Sequence, residues 1–290
     1  MTALLLSILA STLIFIVFKL FERFQINVLQ AIVVNYITAC TCGILTYSGK
    51  VTVASVTGSD WFFYTLALGA LFIVVFNLMA ITTQRNGLSV VSVATKMSVV
   101  VPIVFGLLYY KEDLGIYKGI GIVLALVAVY LASIKKQTGS STTSKALLLP
   151  LFVFIGSGLI DTSLKFLEEQ FVKENEVALF SATIFGAAAM IGIIVISIQK
   201  IQGKQPLQLK NLIGGIALGI PNFFSIYFLV KALRSDLFDS SGIFTVNNVA
   251  IVMLSTLVGI LLFSEKLSTK NWIGIFLAII SIFLVTLSTL

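Results

Sequence analysis

The segment Thr2–Leu20, TALLLSILASTLIFIVFKL, is an apolar run with a single charged residue, Lys19. An α-helix rises about 1.5 Å per residue, so about 20 apolar residues cross the hydrocarbon core of a bilayer. Glu22 and Arg23 follow the run, and no small-residue cleavage site does. The segment therefore predicts a membrane-spanning helix rather than a cleavable signal peptide.

Nine further segments of similar length and apolarity follow along the chain. Their length, their number and the shortage of charged residues between them favour helices over buried parallel strands. Together with the first segment they predict ten spanning helices, at roughly 2–20, 28–47, 61–83, 88–109, 115–134, 146–166, 177–198, 210–232, 241–263 and 271–289.

The composition of the chain agrees with this prediction. Of its 290 residues, 58% are hydrophobic and 11% are charged, whereas an average soluble domain is about 25% charged. This excludes a soluble domain, a secreted disulfide scaffold and a disordered chain. The net charge of +7 comes from lysines and arginines placed singly or in pairs between apolar runs. We therefore expect the bilayer, and no nucleic acid, as the partner of these cations.

Residues suited to catalysis or metal binding are scarce. The chain has no histidine, and its two cysteines, Cys40 and Cys42, lie inside an apolar run. A zinc site or a disulfide framework is not expected from this pattern, and no GxSxG, HExxH or GxxxxGK[ST] motif is present. We expect no enzymatic activity, no metal and no cofactor.

The chain divides near its middle. Residues 135–145, KKQTGSSTTSK, have the composition of a flexible linker. The division gives a first part, 1–134, and a second part, 146–290, each with five predicted spans.

An internal repeat supports this division. Gly106–Leu114, GLLYYKEDL, matches Gly259–Leu267, GILLFSEKL, at an offset of 153 residues. Glu112 coincides with Glu265, which hydropathy alone does not require. Because five is odd, the second half must insert upside down relative to the first. We therefore predict an all-α membrane protein of ten transmembrane helices, arranged as two inverted five-helix repeats, as in many secondary transporters.

The pattern resembles the drug/metabolite transporter superfamily, specifically its ten-helix EamA-type members. The fourth helix ends in Glu112-Asp113-Leu114, and its second copy ends in Glu265-Lys266-Leu267 before a glycine-containing helix. Lys19-Leu20-Phe21-Glu22 is also similar to the first helix of the four-helix small multidrug transporters. The resemblance implies export or exchange of small metabolites, amino acids or amphiphiles across a bacterial inner (plasma) membrane.

The resemblance also has a departure and an open point. The four-helix relatives carry a proton-coupling glutamate eight residues before that lysine, where this chain has Ser11 and, in its second half, Ser157. We include both serines among the candidate substrate contacts. The loop charges place both termini outside, whereas family members usually have both inside, so the side of the termini stays open.

Lys96 is the first candidate for a binding residue, because a charge inside a span is costly. It lies about 12 Å into the fourth helix and shares a face with Ser89 and Ser92. Asn248 occupies the equivalent position in the ninth helix. Lys96 either binds a substrate carboxylate or phosphate, or is a structural lysine paired with a carbonyl or carboxylate.

Asp161 in the sixth helix is the second candidate. It can pair with Lys165 four residues later, or it can serve as the carboxylate that couples transport to protons or cations. Burial would raise its pKa, which such coupling requires.

The neutral polar residues Asn77, Asn222 and Tyr227 are the third group of candidates. Such side chains either touch substrate or hold helices together. The leading hypothesis is a secondary transporter of small polar or anionic metabolites such as amino acids, working by alternating access as a monomer or a homodimer. The alternative is a proton-coupled exporter of drugs or cationic amphiphiles, with Asp161 as the coupling acid.

Overall fold

A computed structural model describes most of the chain. The described residues are 1–49, 51–109, 115–133, 143–173, 176–202, 208–233 and 240–287. These ranges contain helices and short connections, and no strand. Most of the predicted linker, 135–145, lies outside them, and so does the first-half motif Glu112–Leu114.

Twelve α-helices lie in the described ranges. They are α1 (Thr2–Arg23), α2 (Val28–Thr46), α3 (Val53–Thr57), α4 (Phe62–Asn86), α5 (Leu88–Met97), α6 (Val100–Tyr109), α7 (Ile116–Ser133), α8 (Thr143–Phe171), α9 (Val177–Ile201), α10 (Leu209–Leu233), α11 (Ser240–Phe263) and α12 (Thr269–Leu287).

The helices confirm the all-helical prediction for the described ranges and fit a multi-pass membrane protein. Within the described ranges, nine stretches are long and apolar enough to cross a membrane, and Ile116–Ala132 is a shorter apolar helix. Large apolar side chains such as Leu126 and Phe276 are more than half exposed. A bilayer gives such side chains an apolar environment, which water would not.

Two features differ from the ten predicted segments. The fourth span is two helices, α5 and α6, where the sequence predicted one. The short helix α3 was not predicted; it begins with a capping box in which Thr52 and Ser55 each accept the other's backbone amide.

The described chain forms two compact units, and each contains segments from both halves of the sequence. Unit 1 is Met1–Lys19, Leu78–Leu159 and Phe224–Leu290, and unit 2 is Leu20–Asn77 and Ile160–Phe223. The chain passes from one unit to the other within α1, α4, α8 and α10. The units are therefore not the two predicted halves.

Membership in the units repeats every five spans. The second and seventh spans, α2 and α9, lie wholly in unit 2. The fourth, fifth, ninth and tenth spans lie wholly in unit 1, while the first, third, sixth and eighth are divided between the units. Each span thus has the same membership as the span five positions later.

Glycines allow close helix packing inside unit 2. A Cβ on Gly215 of α10 would lie 2.6 Å from the Ala31 carbonyl oxygen of α2, and one on Gly219 would lie 2.7 Å from the Asn35 carbonyl oxygen. The two helices therefore touch backbone to backbone, as small residues permit in membranes. A cluster of rings between α2, α4 and α9 adds to this core: Tyr36, Phe72, Phe76 and Phe185.

In unit 1, α7 and α12 pack closely together. The Ser281 hydroxyl donates to the Gly121 carbonyl oxygen at 2.7 Å. The Asn271 amide donates to the carbonyl oxygens of Leu131 and Ala132 at 3.2 and 2.7 Å. The two Asn271 bonds satisfy carbonyls in the last turn of α7.

We predict that Gly215→Ala lowers the melting temperature of the purified protein in detergent. Alanine is favoured over glycine inside a helix by about 0.5–1 kcal/mol, but overpacking costs about 1–3 kcal/mol. The matched control is Gly186→Ala in α9, where the new Cβ would meet Cys40 Sγ at an ordinary 3.5 Å. Equal melting temperatures for the two variants would contradict the close α2–α10 contact.

Candidate functional site

The fourth span is interrupted near its middle. The helix α5 ends at Met97 and α6 begins at Val100, after ten of the 22 residues of the span. Pro102 cannot donate a helical hydrogen bond, and the Ser98 carbonyl oxygen instead accepts the Val101 amide at 2.9 Å. At about 1.5 Å per residue, the break lies about 15 Å into a core about 30 Å thick.

Lys96 lies one residue before the end of α5, at this break. Its side chain is half-buried. The C-terminal end of a helix carries a partial negative charge, which favours a cation in the last turn. Ser92 is buried, and its hydroxyl donates to the Ser89 carbonyl oxygen at 3.0 Å within the same helix. The structure therefore places Lys96 beside an irregular backbone, while Ser92 is satisfied by its own helix.

The helix α8 packs against the break. A Cβ on Gly158 would lie 3.0 Å from the Ser98 carbonyl oxygen and would clash with Val101. The neighbouring residue, Ser157, is only 6% exposed, and its hydroxyl has no hydrogen-bond partner among the described residues. A buried hydroxyl without a partner is costly, so this position favours a polar ligand or a bound water.

A second buried polar group in unit 1 joins α1, α10 and α11. The Ser7 hydroxyl lies 2.9 Å from the Ser225 carbonyl oxygen and 3.2 Å from Asn247 Oδ1. Sequence reasoning had selected Ser11, one turn further along α1, and Asn248; both are half-buried. Asn247 was missed because an apolar helix gives no signal that distinguishes two adjacent asparagines.

Unit 2 holds a pair of buried asparagines. Asn222 Nδ2 donates to Asn35 Oδ1 at 3.1 Å, and both residues are at most 3% exposed. Asn35 Nδ2 has no partner among the described residues. Asn35 was not predicted, and the contact gives Asn222 an interhelical role. Asn77 donates to the Ile73 carbonyl oxygen of its own helix at 2.7 Å and is half-buried.

The last two predicted residues lie on exposed surfaces. Tyr227 is 40% exposed, and its ring contacts Phe224 and Phe228. Asp161 is exposed within the apolar stretch Leu147–Leu164. Their roles stay predictions.

Glu265 caps the N-terminal end of α5, although from the sequence it served only to align the repeat. Glu265, in the loop between α11 and α12, accepts the Leu88 amide at 2.6 Å and the Ser89 hydroxyl at 3.2 Å. Within the described ranges, no three His, Cys, Asp or Glu side chains lie close enough to bind a metal ion.

We predict that Asn222→Ala destabilises the protein by about 1–3 kcal/mol, because it leaves the buried Asn35 carboxamide without its partner. Asn35→Ala should cost a similar amount, and the double variant less than the sum of the two. Unfolding of detergent-purified variants measures the three values. Strictly additive losses would show that the two amides do not interact.

The chain is similar to a known protein in sequence and to a solved protein in structure. The chain is 31% identical over 288 residues to an uncharacterized protein of Haemophilus influenzae, covering 97% of this chain and 96% of the relative. No family model matches the chain. A solved crystal structure is similar with a TM-score of 0.58, over 97% of this chain and 96% of that one, at 15% identity. The structural likeness shows a shared fold alone.

Proposed function

We propose that this chain, which belongs to the same family as the uncharacterized Haemophilus influenzae protein, is a secondary transporter of small polar or anionic metabolites such as amino acids. It moves its substrate by alternating access, without enzymatic turnover and without a cofactor. It acts in the inner (plasma) membrane of a bacterium, as a monomer or a homodimer.

The observation that carries this proposal is the broken fourth span with Lys96 beside the break. Irregular backbone at membrane depth is tolerated only where it is buried in protein or lines a wet cavity. Transporters use such discontinuous helices to bind charged groups near the midplane. A charged residue at this depth is a functional candidate by default, and a carboxylate or phosphate is the substrate group whose charge complements an ammonium group.

The Ser157 hydroxyl supports the same location. It is buried beside the residue that packs on the break, and it has no partner among the described residues. This hydroxyl can donate a hydrogen bond to a substrate oxygen or accept one from a substrate amine. Lys96 would then bind the charge of the substrate, and Ser157 a polar group near it.

The five-span period in unit membership supports the repeat. Spans five positions apart have the same unit membership. Two such halves, inserted in opposite directions, give a transporter two related conformations that open to opposite sides. The resemblance to EamA-type transporters adds to this support and suggests metabolite export or exchange.

We predict that Lys96→Ala lowers the flux of an anionic substrate by about 30-fold or more, because removing one member of a buried charge pair costs at least about 2 kcal/mol. Lys96→Arg should keep part of the flux, since it keeps the charge. The control is Lys270→Ala, which alters an exposed lysine at the start of α12.

The measurement uses protein reconstituted in liposomes without ATP. A thermal-shift screen of amino acids and small carboxylates first identifies a ligand, because a molecule that binds only the folded protein raises its melting temperature. Flux of that ligand is then compared between variants of equal melting temperature. Normal flux through Lys96→Ala would remove Lys96 from the binding site.

Asp161 favours a second candidate, a proton-coupled exporter of drugs or cationic amphiphiles. Its carboxylate is exposed inside an apolar span, where an ionisable residue is a functional candidate by default. We predict under this alternative that Asp161→Asn abolishes proton-driven efflux of a cationic dye from vesicles. Efflux that does not respond to a pH gradient, or that survives the substitution, would exclude the alternative.

A further inference from the structure

The turn between α4 and α5 interrupts the regular helical hydrogen bonds, and the bond from the Leu88 amide is one of those lost. In a continuous helix the Leu88 amide would donate to the Gln84 carbonyl oxygen, four residues earlier. Here Gly87 adopts a φ of 108°, a conformation that favours glycine, and the chain starts a new helix. A glycine has no side chain to cap that helix. The first amides of α5 therefore need another acceptor.

Two side chains from opposite ends of the sequence replace the missing bond. Glu265 accepts the Leu88 amide at 2.6 Å, and the Ser89 amide and hydroxyl at 3.4 and 3.2 Å. The Lys19 ammonium donates to the Gln84 carbonyl oxygen at 3.3 Å. Each charge suits the helix end that it meets, an anion at the N-terminus of α5 and a cation at the C-terminus of α4. All of these residues belong to unit 1.

The Glu265 carboxylate is itself held in place. Its backbone amide donates to the Gly259 carbonyl oxygen at 2.9 Å, and the preceding Ser264 adopts a φ of 52°. A Cβ on Gly259 would lie 2.6 Å from Glu265 Oε2, and one on Gly87 would lie 2.8 Å from Oε1. The Glu265 carboxylate thus fills a space that two glycines leave open. An ordinary surface glutamate would instead be surrounded by water.

We infer that Glu265 is a positioning residue, which fixes the half-helix α5 and thereby sets the place of Lys96 at the other end of that helix. An isolated helix of ten residues is marginal on its own, so α5 depends on its surroundings: most of its residues are buried, and Glu265 binds its first turn. Lys96 is eight residues from Leu88, about 12 Å along the axis. Glu265 acts through the helix and does not touch the substrate; this role rests on the proposed function.

The first test is hydrogen exchange, read by mass spectrometry on the detergent-purified protein, and it needs no substrate. The amides of Leu88 and Ser89 have no acceptor within α5, so their protection depends on Glu265. Glu265→Ala should speed their exchange by tenfold or more, and Glu265→Gln by less, because glutamine keeps one acceptor. Lys266→Ala, which changes the exposed next residue, should leave it unchanged. Exchange of the Leu88 and Ser89 amides at the wild-type rate in Glu265→Ala would show that Glu265 does not cap α5.

The second test separates positioning from mere stability. In liposomes, Glu265→Ala should raise about tenfold the KM for the amino acid or small carboxylate that the thermal-shift screen identifies. It should change the maximal rate less than twofold, with Glu265→Gln in between. Faster exchange with an unchanged KM would overturn the positioning role. If the wild-type protein carried no flux above that of Lys96→Ala, the proposed function would be overturned, and the positioning role with it. The exchange result would still show whether Glu265 caps α5.

A second variant covers the case in which Glu265→Ala does not fold. Gly259→Ala keeps the carboxylate but places a methyl group 2.6 Å from its Oε2, which must displace it. Exchange at Leu88 and the KM should then shift in the same direction as for Glu265→Ala. A Gly259→Ala protein with wild-type exchange and wild-type KM would contradict the inference.

Discussion

A bilayer core offers no water to backbone amides and carbonyls, and this constraint shapes the whole protein. Continuous helices meet it by bonding within themselves. Polar side chains on the spans mostly follow the same rule: Thr82, Thr83 and Thr95 each donate to a carbonyl oxygen four residues earlier in their own helix. Such hydroxyls add no unsatisfied group and carry little information about function. Departures from the rule carry much more.

The helical backbone is interrupted at both ends of the half-helix α5. At its start, Glu265 and Lys19 replace the helical bond that the turn at Gly87 removes. At its end, the backbone breaks beside Lys96, and Ser157 keeps a buried hydroxyl that has no partner in the described part of the chain. Proteins keep such local costs mainly at functional or strained sites, which places the candidate site at the second interruption.

The compact units do not coincide with the two halves of the sequence. Both units combine segments of the first and second halves, and Glu265 of the second half caps a helix of the first. A half of this chain would therefore expose the surfaces that the other half covers. The glycines of α10 add to this dependence, because Gly215 and Gly219 pack directly on the backbone of α2.

The sequence by itself determined the helical, multi-pass character of this protein and the place of each span to within a few residues, because hydropathy and length are local properties. It also singled out Lys96, since a charge inside an apolar run is visible without a structure. Only the tertiary structure decided that the fourth span is broken after Met97, that Asn222 pairs with Asn35, and that Glu265 caps α5. These features depend on contacts between residues 176 to 187 positions apart, or on how a backbone break is packed. No local pattern encodes such contacts, because each partner looks like any other polar residue until the chain has folded.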